Sequence, residues 1–234
     1  MSSEFTASLR KHIQQLGLNQ LVLGLSGGLD SMVLLELCHQ LTQSCAIKLK
    51  AVYIHHGLSA NADQWAAFCQ QQCLQRNIAF EVQKVQLNSN ANIEAQARAA
   101  RYSALAAFVV TPQTALLTAH HADDQLETLL LALKRGAGPA GLSAIAAVQP
   151  FAAGWLLRPL LEFSREQLEA FAKQQQLEWI EDESNNDSRF DRNFLRLQVI
   201  PLLQQRWPAF RQNVLRSVAH IQQQQIFVEN QLQQ

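Results

Sequence analysis

Four groups of residues in this chain have types and spacings suited to chemistry. The first is Ser26-Gly-Gly-Leu-Asp-Ser31, which follows the apolar run Leu21–Leu25. Two adjacent glycines let the backbone approach a ligand closely and take conformations that a Cβ would forbid. A helix entered at Asp30-Ser31 aims unpaired N–H groups and a positive dipole end at the same point. Strand, glycine turn and helix start together read as an anion site, most often for phosphate. No Gly-Lys-Ser/Thr follows, so it is not a Walker loop, and it lacks the Gly-x-Gly-x-x-Gly of dinucleotide sites. The second group is Thr118-Ala-His-His-Ala-Asp-Asp-Gln-Leu-Glu-Thr128. On a helix, Asp124 and Glu127 share a face at i,i+3, and Asp123 and Glu127 do so at i,i+4. Acids in a first helical turn are favoured by the dipole alone. His120 and His121 beside these acids also match a metal site of the phosphohydrolase kind. The third group is Arg98 and Arg101, three apart on a predicted helix. It reads either as a bidentate phosphate clamp or as a surface cluster in which Arg98 pairs with Glu94. The fourth is Arg192, Asn193 and Arg196, which reads as a second clamp or as a solvated face.

The elements between these groups must position them. Residues 4–16 read as a short amphipathic helix, Leu21–Ser26 as the first strand and 31–42 as the first crossover helix. Leu49–His56 is a second strand, broken by Gly57. A helix over Ala60–Arg76 and a strand over Phe80–Val85 follow. Asn92–Val109 is a long Ala-rich helix with Asn92 as candidate N-cap. Thr114–Ala119 is the fourth strand, and Asp123–Lys134 is a helix closed by Gly136. Strands alternating with helices predict an α/β fold, an open parallel sheet with helices on both faces. Ligands bind such sheets beyond the carboxyl ends of the strands. That rule selects the turn after Ser26, His55-His56 and His120-His121.

After Gly136 the pattern changes. Arg135–Leu142 is a Gly/Pro-rich loop, and Ala144–Gln149 with Trp155–Arg158 predict a small hairpin or edge strands. Ser164 starts a helix, with a Glu/Gln partner close behind. Glu181–Asp191 is polar and irregular. Helices are expected over Asn193–Arg206 and Ala209–Gln234. The last is Gln-rich, with Val214, Val218, Ile221 and Val228 thinly spaced, so it is expected to have little to pack on. The domain expectation is therefore a catalytic domain over 1–200 and, over 201–234, a helical linker toward a further region, or else a solvated terminal helix.

Composition narrows the class. The chain has 234 residues, 48% of them apolar, enough to fill a sizeable core. Its 19 basic and 19 acidic residues cancel, which leaves no net electrostatic footprint for nucleic acid. Cys38, Cys45, Cys69 and Cys73 form no Cys-x-x-Cys pair, so neither a zinc site nor a disulfide framework is indicated and a reducing cytoplasm fits. Met-Ser-Ser-Glu-Phe-Thr is not a secretory n-region, and no apolar run is long enough to span a bilayer.

Ser-Gly-Gly-x-Asp-Ser between a strand and a helix resembles the pyrophosphate loop of the ATP pyrophosphatases (the PP-loop superfamily), which split ATP into AMP and pyrophosphate. The ordered set is more specific. It comprises Ser26–Ser31, Val52–Leu58, Glu94–Tyr102, Thr118–Thr128, Arg135–Leu142, Arg158–Leu161, and Glu181–Asn185 through Arg192–Arg196. It resembles the tRNA(Ile)-lysidine synthetases over nearly all of residues 20–200. The resemblance implies ligation of free L-lysine to the wobble cytidine of the CAU-anticodon isoleucine tRNA through an adenylated cytidine, releasing AMP and pyrophosphate. ATP as substrate and Mg²⁺ are implied with it, and a homodimer is admitted. ATP would be bound by Ser26, Gly27, Gly28, Leu29, Asp30, Ser31 and His55, with Asp30 also holding the metal. Asp30, His120, His121, Asp124 and Glu127 would carry catalysis, with Asp124 and Glu127 recognising lysine and His120 or His121 serving as base or binding AMP. Arg98, Arg101, Arg135, Arg192, Asn193 and Arg196 would hold phosphate or tRNA.

Two departures stand out. Ser59 occupies the position where the family often has arginine, and the carboxy-terminal tRNA-binding region of longer members has no counterpart. Three rival readings share the scaffold. A tRNA thiolase usually needs Cys-x-x-Cys or an added nucleophilic cysteine, which this spacing does not supply. An NAD- or GMP-synthetase-like amidation leaves the motifs after residue 90 unexplained. A non-catalytic adenine-nucleotide sensor leaves Asp30, Asp124 and Glu127 idle.

Overall fold

The computed structural model of the chain describes residues 1–57, 59–86 and 93–232. They form two compact units. The first comprises Met1–Ala119, Val148–Leu160 and Glu166–Ile180, and the second His120–Ala147, Leu161–Arg165 and Glu181–Gln234.

The first unit is built on a six-stranded sheet. Its strands are β1 (Gln20–Gly24), β2 (Lys48–His55), β3 (Ala79–Lys84), β4 (Thr114–Leu117), β5 (Val148–Phe151) and β6 (Gly154–Leu157), in the order β3-β2-β1-β4-β6-β5. The strands from β3 to β6 run parallel, and β5 is antiparallel on the edge. The segments read as a small hairpin or edge strands are both: β5 and β6 form a hairpin that adds the edge of the main sheet, and the expected open parallel sheet is present with one antiparallel strand at that edge. A two-residue hairpin loop needs no crossover helix and so returns its partner antiparallel.

Helices α1 (Ser2–Leu16), α2 (Leu29–Thr42), α3 (Ala62–Gln75) and α4 (Ile93–Ala106) flank the sheet, together with α7 (Arg165–Gln174) later in the chain. One sheet face carries Val22, Val52, Ile54, Leu116 and Leu156, packed on Leu105 and Val109 of the α4 segment. Alternation puts Leu21, Leu23, Ala51 and Leu117 on the other face, and these are fully buried too. Helices α2 and α3 pack on β2 there, as right-handed crossovers require. Helix α2 is apolar almost all round because α1 covers its outer side with Phe5 and Leu9. The proposed cap Asn92 and the side chain of Glu94 lie outside the described residues.

The second unit is helical. It contains α5 (Ala122–Lys134), α6 (Pro139–Leu142), a 3₁₀ turn (Glu183–Asn186), α8 (Asp191–Phe194), a π-helical turn (Leu195–Val199), α9 (Ile200–Arg206) and α10 (Phe210–Leu232). The buried side chain of Gln125 on α5 bonds both the N–H and the C=O of Ile145, at 2.8 and 2.7 Å, and so closes the Gly/Pro-rich stretch onto the helix. Helix α10 has more to pack on than its thin apolar pattern promised. Val218 is buried, Gln222 donates to the carbonyls of Ser143 and Ile145, and Arg211 reaches Asp123. Ile226, Phe227 and Val228 farther along α10 stay exposed. Among the described residues no helix is long and apolar enough to cross a membrane.

Candidate functional site

The glycine loop leaves β1 at Gly24 and enters α2 at Leu29. Gly27 has φ +83°, and a Cβ there would sit 2.7 Å from the Ile180 side chain and 3.1 Å from Cys69 Sγ. The Gly27 carbonyl also accepts from Ile180 N–H at 2.9 Å. Gly27 is thus required by the protein's own packing. Gly28 is different. A Cβ there would meet nothing closer than Ser26 Oγ at 3.7 Å, so the protein leaves that approach open. Gly28 is the N-cap of α2 in extended conformation, and no side chain caps the helix. The first-turn N–H groups of Leu29, Asp30 and Ser31 therefore point out of an uncapped helix start, which suits a phosphate. Ser26 Oγ donates to Ser31 Oγ at 3.1 Å, and Ser31 Oγ donates to the Gly28 carbonyl at 2.9 Å, fixing the loop's curl. Asp30 is partly exposed in the same turn. Among the described residues no three His, Cys, Asp or Glu side chains gather as a metal cage. One carboxylate beside phosphate oxygens is the usual Mg²⁺ arrangement.

The other candidates of the first unit gather past β2 and on α4. His55 ends β2, with Nε2 3.2 Å from Asp63 Oδ1. Burial, with Arg101 and His55 adding to it, pushes His56 down to about 4, so this imidazole is neutral at pH 7. Arg98 is exposed and lies over the Tyr102 ring, 5.2 Å from its centre. Arg158, absent from the candidate set, is buried just past β6 and bonds Gln149 at 3.2 Å. Its signals were its place in the Arg158–Leu161 motif and a charge at the carboxyl end of a strand.

The second unit gathers the remaining candidates around α5. His121 is its N-cap: Nδ1 accepts from Asp123 N–H at 3.2 Å, and the His121 N–H donates to Asp124 Oδ2 at 2.9 Å. This reciprocal box gives His121 and Asp124 structural duties in addition to any chemical ones. Asp123 accepts from Arg165 N–H at 2.8 Å and pairs with Arg211 at 3.0 Å, a partner concealed by lying 88 positions further along the chain. Glu127 is buried, one turn on. Burial and the Asp124 charge push its carboxyl up to about 7, against the opposing pull of Arg192 and Arg196. Burial works on Asp124 too, but the charges of His121 and His120, the His121 N–H and Arg192 outweigh it and hold Asp124 below the usual carboxylate range. Two neighbouring acids are thus driven in opposite directions.

Arg192 stands 3.6 Å from both Asp124 and Glu127 and donates to Thr128 Oγ1 at 3.1 Å. Asn193 donates to the Asp187 carbonyl, and Arg196 donates to the Asn185 carbonyl and to Asn193 Oδ1. The late Asn/Arg motif therefore braces its own 183–187 turn while delivering Arg192 to the acids. Arg135 is the exposed C-cap residue of α5.

A mostly parallel α/β sheet with an uncapped glycine turn at the carboxyl end of β1 defines a nucleotide-binding protein of the PP-loop class. The PP-loop domain family model matches residues 1–203, and the chain belongs to that family. It is 58% identical over 209 residues to a tRNA(Ile)-lysidine synthase of Serratia proteamaculans, covering 88% of this chain and 48% of the relative. It is 50% identical over 228 residues to the Haemophilus ducreyi tRNA(Ile)-lysidine synthase, covering 97% and 52%. The chain thus spans about half the length of these relatives. Among solved structures it is similar to a U34-tRNA thiolase of Methanococcus maripaludis, with TM-score 0.72, 17% identity and coverage of 94% and 78%. An NH3-dependent NAD synthetase of Campylobacter jejuni gives TM-score 0.54 at 16% identity, covering 97% and 93%. These last two likenesses show the fold. Against thiolase chemistry in this chain, Cys38, Cys69 and Cys73 are buried, and burial pushes the Cys69 and Cys73 thiols up to about 12.

Proposed function

We propose that this chain carries out ATP-dependent ligation of lysine to the wobble cytidine of the CAU-anticodon isoleucine tRNA. In the first step the cytidine C2 oxygen attacks the α-phosphorus of ATP and pyrophosphate leaves. The uncapped α2 start, Ser26 and Ser31 hold the phosphates, and His55 contributes to the nucleotide site. Asp30 would hold Mg²⁺, and the ion would supply positive charge to offset that developing on the phosphates. Arg98, Arg101, Arg135, Arg192, Asn193 and Arg196 are assigned to phosphate or tRNA contacts.

In the second step an amine of lysine attacks C2 and AMP leaves, with loss of a proton from nitrogen. A lysine amine is ordinarily protonated at pH 7, so this step needs both a cation holder and a proton acceptor. The single observation that carries the reading is the divergent acid pair on α5. Asp124, held ionised, suits the cation. Glu127, poised near 7, suits the proton. His120 and His121 tune Asp124 by their charge. We assign the chain to the cytoplasm, where ATP and tRNA are available and thiols stay reduced.

The test is AMP release with and without lysine in the presence of tRNA. Asp124→Asn and Glu127→Gln should spare ATP binding and lower the lysine-dependent rate by at least about 100-fold, the usual worth of a positioned acid–base group. Unchanged lysine dependence in both variants contradicts the assignment.

A further inference from the structure

We propose that Arg192 is a built-in competitor for the amine site: its guanidinium occupies the position between Asp124 and Glu127 that a substrate ammonium must take, and so sets the affinity for lysine. The inference rests on the assignment of those two acids to lysine made above.

Each acid turns one oxygen toward the guanidinium. Asp124 Oδ1 is 3.6 Å from one terminal nitrogen, and Glu127 Oε2 is 3.6 Å from Nε. The other Asp124 oxygen is already committed to the His121 N–H. A settled arginine–carboxylate pair closes to about 2.7–2.9 Å, often bidentately. Arg192 does neither, and gives its hydrogen bond to Thr128 Oγ1 instead. Glu127 Oε2 consequently sits buried and accepts no hydrogen bond. A buried carboxylate oxygen without a donor is costly, and an ammonium carries three donors on a compact head. It can approach both oxygens more closely than a guanidinium parked on a threonine.

The two sides of the contact differ in anchorage. Glu127 lies on α5 with 2% of its side chain exposed, whereas the Arg192 side chain is 30% exposed. No residue of Asp191–Val199 is buried, and the segment carrying Arg192 is held by polar contacts near the surface rather than by a packed core, so it shifts more readily than α5. Two cations within about 4 Å repel strongly where water is scarce, so the amine and the guanidinium cannot share the acids. The amine enters as Arg192 leaves. Arg192 is thus a positioning residue that tunes affinity, and it does not act on the reacting atoms while lysine is bound.

The experiment is calorimetric titration of L-lysine into the 234-residue chain without ATP or tRNA. Arg192→Gln removes the charge, and lysine should bind about tenfold more tightly than to the unaltered chain. Arg192→Lys keeps a cation and should stay within about threefold of it. A merely structural arginine predicts the opposite sign, with weaker or no binding on replacement. Unchanged, weaker or undetectable binding in a cooperatively melting Arg192→Gln overturns the proposal. Should that variant fail to fold, Arg192→Met, which also removes the charge, carries the test with the same signs. Asp124→Asn and Glu127→Gln, each combined with Arg192→Gln, separate the two failures. Tight binding that persists without the acids sinks the lysine assignment and the competitor with it. Binding that needs the acids but ignores Arg192 sinks the competitor alone.

Discussion

The glycine loop and the α5 cluster offer their ligands different materials. The loop presents backbone N–H groups from one contiguous stretch, Gly28–Ser31, and its shape is set by two serine hydroxyls and a single tight turn. The α5 cluster presents side-chain charge, and it needs groups from distant parts of the chain. Arg192 lies 64 residues from Thr128, and Arg211 lies 88 from Asp123. A backbone site is written locally and reads plainly from sequence. A side-chain site depends on tertiary packing, which also decides the protonation of its members.

The largest effect is expected where the loop's two glycines are set against each other. Gly27→Ala combines a strained φ with a clash on Ile180 and should cost about 1–3 kcal/mol of stability as well as ATP use. Gly28→Ala should leave stability within about 0.5 kcal/mol, since nothing in the protein meets its Cβ closely. It should nonetheless weaken ATP binding by at least about tenfold, because the new methyl sits where the phosphates approach. Thermal melting and ATP titration read the two effects separately, and equal destabilisation by both variants would break the distinction.

That pair also marks what the sequence displayed. Strand–turn–helix order, the two glycines and the acids at i,i+3 were all legible because they are local. Which glycine serves packing was not, since Ile180 and Cys69 arrive from remote segments. Whether residues 144–158 make a separate hairpin or edge strands of the main sheet was left open by the sequence for a similar reason. The four-residue strands β5 and β6 carry too little alternation to say which neighbour they choose. Helix α10 looked unsupported because its anchors, Gln222 and Arg211, are polar and no apolar periodicity announces them.

The next effect concerns Glu127. Its folded value is raised from 4.5 to about 7, so between those values the unfolded carboxyl ionises first. Stability should fall as pH rises through that window and level off above it, by an amount on the order of 3 kcal/mol. Glu127→Gln should flatten the slope of melting temperature between pH 5 and 8, and an unaltered slope would place the charge cost elsewhere. The lysine-dependent rate should rise across the same window as the carboxylate forms.

A smaller change is expected at Arg211. Its pair with Asp123 is partly buried, and Arg211→Ala should cost about 1 kcal/mol in urea denaturation and loosen α10 in hydrogen exchange. Protection of α10 equal to that of the unaltered chain would count against the anchor. The smallest effect belongs to the cysteines. With the Cys69 and Cys73 thiols pushed up to about 12, neither should react with iodoacetamide at pH 7.5 in the folded chain. Rapid labelling of either by mass spectrometry would reopen the thiolase reading.

The central claim is that phosphate chemistry at Gly28–Ser31 and amine chemistry at Asp124 and Glu127 serve one ligation. The most direct measurement supplies ATP, Mg²⁺ and radiolabelled lysine with separate tRNAs and follows label into RNA. The account predicts label in the CAU-anticodon isoleucine tRNA, with AMP and pyrophosphate formed in step, and none in the methionine tRNA that shares the anticodon. Label in no tRNA while ATP is still cleaved, or label with Glu127→Gln at the rate of the unaltered chain, would contradict it.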